Sequence, residues 1–270
     1  MEDFNSLQQP QMEAEEPFFT ARASDQSVLD RIFAIFTSPK EALQGIELVQ
    51  GAGAWLWPLL LAVLITSASA GIRYFTTSAA QDEHTARVIQ YEKMANNKKF
   101  ADETRKGFHK KALEDTGDAQ KSALTSVGTV FAMMIILAMI SSLFFFILAK
   151  FIFRSGDITF STVLIASSLT MVISAVGDLI GVILQSVFDN GMLSVSPAAF
   201  LHGMSPSDPN FVLAFQFNLF KIWDLAIFAI AFASLARRSA GTGIAVVFGS
   251  WLLRVAIYTG LMYLVQSLTA

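Results

Sequence analysis

Four charged residues, Asp178, Lys221, Asp224 and Arg254, interrupt stretches that are otherwise apolar over about twenty residues or more. A charge near the centre of a bilayer costs about 2.5 to 3.5 kcal/mol on insertion scales, so four of them facing lipid would weigh heavily on the fold. They are therefore expected to face one another. Two acids and two bases sum to zero, and Lys221 and Asp224, three residues apart, share a helical face with Asn218 one turn away. Counting 1.5 Å per residue from the more basic ends of these stretches places Asp178 and Lys221 at a depth of about 22 Å, Asp224 at about 18 Å and Arg254 at about 15 Å. One layer results, with Asp178 expected to compensate Arg254. Two chemistries fit it: a neutral network that fixes helix packing, or a relay for protons or ions.

Little else in the chain could do chemistry. His84, His109 and His202 have no second histidine or carboxylate at metal-ligand spacing, apart from Glu83 beside His84. No GxSxG, HExxH, Walker-type or dinucleotide glycine pattern occurs. With no cysteine, disulfides, thiolate metal sites and cysteine nucleophiles are all excluded. No catalytic, metal or cofactor-binding residue is expected, and no cofactor. The formal charge of −3 gives no basic field for nucleic acid.

The elements that must position the four charges are long and apolar. Of the 270 residues, 53% are hydrophobic and only 15% charged, a balance too apolar for the surface of a water-soluble domain. Phenylalanine outnumbers tyrosine 24 to 4, as suits lipid, where a bare ring needs no hydroxyl handle. Five stretches reach the roughly 20 residues that a helix needs to cross the hydrocarbon. They run from about 54 to 75, 124 to 150, 161 to 188, 211 to 236 and 243 to 266. Trp55, Trp57 and Tyr74 mark the edges of the first as interfacial anchors. The predicted fold is an all-α polytopic membrane protein.

The remaining segments are predicted to lie outside the bilayer core. Residues 1–24 are acidic, read as disordered and carry no signal peptide, so the first span itself acts as the insertion signal. Residues 25–53 read as amphipathic helices. Val28, Leu29, Ile32, Phe33 and Phe36 recur at helical spacing, and Ser38-Pro39-Lys40-Glu41 offers a serine cap, a proline at the first helical position and a capping-box glutamate. The stripe through Ile32, Phe33 and Phe36, with Arg31 on another face, fits a helix lying on the membrane surface or one packed on the ends of the spans. Residues 76–122 carry dense charge of both signs and suggest two weakly amphipathic helices, either a solvated connector or a partner-binding hairpin.

Short-loop charge sets the expected orientation. Lys150, Arg154, Arg237 and Arg238 fall on the side of the N-terminus, while no lysine or arginine occurs from 155 to 220 or after Arg254. The N-terminus is expected inside and the C-terminus outside. The lysines and arginines of the 76–122 loop oppose this but are nearly matched by acids.

The segment FTSPKEALQGI (36–46), the tryptophan-bearing first span WLWPLLLAVL, GDITF (156–160) and FNLFKIWDLAIFAIAFASLARRSAGTGIAVVFGSWLL (217–253) follow one another in an order that resembles the Yip domain family, five-span proteins named for interaction with Ypt and Rab GTPases. The resemblance covers about residues 30 to 268 and implies the same five-span fold with N-terminus in and C-terminus out. Eukaryotic members carry a long N-terminal region, whereas about 50 residues precede the first span here, and the roughly 47-residue loop looks like the bacterial branch. A Rab-type GTPase is accordingly not expected as a partner.

Together these features predict a non-enzymatic scaffold or adaptor in a bacterial inner membrane, acting on lipid, membrane-protein partners or a second copy. The rival is a transporter or channel for a small solute, ion or lipid, lined by Asp178, Lys221, Asp224 and Arg254.

Overall fold

The computed structural model describes residues 26–49, 51–98, 100–115, 117–188, 190, 193–201, 204 and 208–269; the acidic stretch 1–24 and His202 lie outside them. Helix α1 (Val28–Thr37) opens on a complete capping box, in which Ser27 Oγ accepts from Asp30 N at 3.2 Å and Asp30 Oδ2 accepts from Ser27 N at 3.0 Å. The box expected at Ser38 does not form. Ser38 instead closes α1 by donating its N–H to Ala34 O at 2.7 Å, and α2 (Pro39–Leu43) starts on proline alone.

The first span, α3 (Gly53–Thr76), leads into a helical hairpin of α4 (Ala79–Asn96) and α5 (Asp102–Glu114). No residue of α5 is buried, and the hairpin is held by polar bonds and one ring pair, Phe100 with Phe108 at 5.6 Å. Arg87 Nε donates to Asp115 Oδ2 at 2.8 Å and His84 Nε2 lies 3.0 Å from Asp115 O. The hydrogen bond from Arg87 holds the Asp115 carboxyl below the usual carboxylate range.

Asp118 then caps α6 (Ala119–Ile147), which runs on through a π-helical turn, Leu148–Ile152. Thr159 caps α7 (Phe160–Val187) by accepting from Thr162 N at 3.2 Å. The last elements are α8 (Pro209–Gln216), α9 (Leu219–Leu235) and α10 (Ala240–Thr269). Among the described residues four helices, α3, α6, α7 and α10, are each long and apolar enough to cross a membrane. Together, α8 and α9 pass as a fifth span broken by a bend of 50°. The continuous fourth span expected over 211–236 is thus interrupted at Asn218, whose side chain accepts from Phe220 N at 2.9 Å and so starts a new helix. The chain is an all-α, multi-pass membrane protein.

Helix α7 forms the centre: 67% of its span window is buried, and it packs against α3, α6 and α9. Aromatic edges fill the gap between α6 and α9, with Phe145 5.0 Å from Phe228 and 5.2 Å from Phe232. Helix α10 lies outside, against α9 and α8.

Helix α1 packs on α7 and α3 through Ile32 and Ile35, with Phe36 edge-on to Trp223 at 6.1 Å. The expected stripe is therefore turned. Phe33 is 73% exposed, while Arg31 is buried because its Nη1 donates to Ala42 O at 2.7 Å and Gln44 O at 3.0 Å, closing the α2 turn. A buried guanidinium that meets carbonyls at this distance has its desolvation offset, which apolar periodicity cannot register.

Candidate functional site

The intramembrane charges gather where α7 crosses α9. That crossing is close because Gly177 has no side chain: a Cβ there would lie 2.4 Å from Phe220 Cβ. One turn further along the α7 face stands Ser174, and opposite it α9 presents Lys221 and Asp224. Asp224 is only 4% exposed. Its Oδ2 takes two bonds of 2.7 Å, one from Lys221 Nζ and one from Ser174 Oγ. The first is an ion pair within α9; the second ties α9 to α7. Such charge-assisted bonds are the strong kind in a low dielectric.

Asp178 extends this cluster to a third helix. Its Oδ2 accepts from Thr66 Oγ1 of α3 at 3.0 Å, and it stands within electrostatic reach of Lys221 and Asp224, although one side of it is open. Further along, Thr76 and Ser186 share a hydroxyl bond of 2.6 Å between the same two helices. Three helices are thereby joined by polar bonds across α7.

Arg254 is not brought to the cluster. It lies on the exposed side of α10, and among the described residues it makes no hydrogen bond or ion pair, so the expected Asp178–Arg254 compensation is absent. The cause lies in how α10 packs. Its buried residues Val247, Trp251, Val255 and Thr259 recur every four residues, and such a row winds about 40° around a helix per step. By the level of Arg254 the row has turned about a quarter of the circumference away from it. Similar depth was a sound expectation for a shared layer, but depth carries no information about facing.

Ser174 and Thr66 were not singled out from the sequence. Ser174 stands four residues before Asp178, a spacing that could have marked it as a face-mate. Thr66 had no signal beyond its place beside the small residues Ser67 to Gly71. Of those, Gly71 lets α6 approach closely, a Cβ there meeting Val127 at 3.0 Å.

Away from the spans, a cavity of about 430 Å³ opens where the hairpin joins α3 and α6, lined by Tyr74, Thr77, Gln81 and His84 among others. Among the described residues no group of three or more metal-ligating side chains comes together. A family model, the Yip1 domain, matches residues 33–262. No curated protein and no solved structure matches the chain.

Proposed function

The chain belongs to the Yip1 domain family, and on that premise we propose that it is a membrane scaffold rather than a carrier, its charged layer serving to fix α7 between α3 and α9. This family is not known as an enzyme family, and the reading takes the chain to be non-enzymatic. The observation behind it is that Asp224, the most buried acid of the layer, is held through one carboxylate oxygen by bonds to both Lys221 and Ser174. A carboxylate neutralised by a neighbouring ammonium and tied to the next helix braces the bundle. The same account places the N-terminus and the turns carrying Lys150, Arg154, Arg237 and Arg238 inside, in a bacterial inner membrane, with the C-terminus outside. Its working surfaces are then the lipid-facing helices and the exposed hairpin, toward membrane-protein partners or a second copy.

The rival, a conducting layer, draws on the open side of Asp178 and the 34% exposure of Lys221. The two readings part on the double variant Lys221→Met/Asp224→Leu, which removes both charges while keeping apolar bulk. A scaffold so altered is expected to fold and to keep the set of proteins and lipids that copurify with it from native membranes. A folded double variant that keeps that set but loses its cellular phenotype would contradict the scaffold reading.

A further inference from the structure

Two turns on one side of the bundle end their helices in the same way. The π-helical turn after α6 is closed by Ser155 N donating to Ala149 O at 3.0 Å, and α9 by Arg238 N donating to Ala233 O at 2.8 Å. In each, the residue after the cap adopts the left-handed conformation, Arg154 with φ 56° and Arg237 with φ 51°. These are the only described non-glycine residues with positive φ. Glycine is the ordinary occupant of that position because a Cβ there crowds the backbone. Arginine at both positions is a strain that the backbone bonds alone do not require.

The turns also clasp each other reciprocally. Ser155 Oγ donates to Ala236 O at 2.8 Å, and Arg238 Nη2 donates to Phe153 O at 2.9 Å, so each turn satisfies the other's cap carbonyl. Arg237 Nη2 bonds Asp157 Oδ2 at 2.6 Å and Arg238 stacks 5.4 Å from the Phe153 ring. Arg154 and Lys150 are exposed and, among the described residues, make no hydrogen bond or ion pair. Four cations from two separate loops thus stand against the single acid of these turns, Asp157. Beside them Phe151 and Ile152 are 70% and 64% exposed, so apolar side chains are left uncovered where the cations gather.

We propose that the clasped turns bind the phosphodiester of an anionic membrane lipid, with Arg154 and Arg237 directed to it by their left-handed backbone and Phe151 and Ile152 seated among its chains. Charge complementarity and the position of the turns at the ends of four membrane-spanning elements select a lipid headgroup over a soluble anion. The strained arginines then have a purpose that glycine could not serve.

The test is thermal unfolding of the full chain in nanodiscs of phosphatidylcholine alone and of phosphatidylcholine with phosphatidylglycerol. The natural chain should melt about 3 to 6 °C higher in the anionic discs. Arg154→Gly/Arg237→Gly should melt at least as high as the natural chain in neutral discs, because glycine relieves the backbone, and should lose the anionic gain. Should that variant not fold, Arg154→Gln/Arg237→Gln carries the same test: loss of the gain supports the site and its retention overturns it. Arg254→Gln, which removes one charge elsewhere, should keep the gain. The proposal is overturned if the natural chain shows no gain, if the glycine variant retains it, if Arg254→Gln loses as much, or if inorganic phosphate added to neutral discs reproduces it.

Discussion

Helices α7 and α10 each supply an apolar span of 28 residues, Phe160–Val187 and Ala240–Ser267, yet 67% of the most apolar stretch is buried in one and 22% in the other. Each meets a charge problem, and each resolves it differently. On the α7 side, Asp224 and Asp178 are drawn into bonds with Lys221, Ser174 and Thr66. On α10, Arg254 is left outside the bundle while Trp251, three residues earlier, is buried against the Phe217 ring at 5.2 Å. A central span must answer its charges within the chain. A peripheral span can leave one facing outward, where the length of the arginine side chain carries its charged head away from the apolar layer.

Asp224→Ala should break the buried side of this contrast most severely. It leaves Lys221 without its partner, a loss of about 3 to 5 kcal/mol by analogy with buried pairs in soluble proteins, toward the lower end because Lys221 is 34% exposed. Thermal unfolding in detergent reads the loss, and a drop of under about 1 kcal/mol would show that the pair is not the brace.

Gly177→Ala should follow. Its new Cβ must displace Phe220 or push α7 from α9, costing about 1 to 3 kcal/mol as overpacking does. The same assay measures it, and a neutral outcome would mean the crossing is looser than the geometry states. Thr66→Val removes one hydroxyl donor from Asp178 and should cost about 1 kcal/mol.

Much of this architecture was legible in the residues. Spans announce themselves because an uncharged run of 20 or so apolar residues has few stable homes besides a bilayer. The i, i+3 spacing of Lys221 and Asp224 disclosed their pairing, since it depends on one helix alone. What depends on two helices was hidden. The facing of Arg254, the break at Asn218 and the burial of Arg31 against carbonyls of α2 are each set by contacts whose partners are distant or are backbone atoms, to which periodicity is blind. Nothing in the residues around Gly177 names its partner Phe220, which becomes visible only once α7 and α9 are side by side.

A smaller effect belongs to the hairpin. The Asp115 carboxyl is held below its ordinary 3.8 by Arg87, so its contribution is present above that pH and is lost as pH falls below it through the lowered value. Hydrogen exchange of the α4 and α5 amides should accelerate in that acid range, and Arg87→Ala should remove the pH dependence. Unchanged acid sensitivity in the variant would assign the effect elsewhere.

The contrast between the two spans comes down to which charges are coupled. Two double-mutant cycles in one detergent measure this directly, Lys221→Met with Asp224→Leu and Asp178→Asn with Arg254→Gln. The first pair should be non-additive by more than about 1 kcal/mol, the double variant hurting less than the sum, and the second additive to within about 0.5 kcal/mol. Additivity at Lys221 and Asp224 together with coupling between Asp178 and Arg254 would contradict the account.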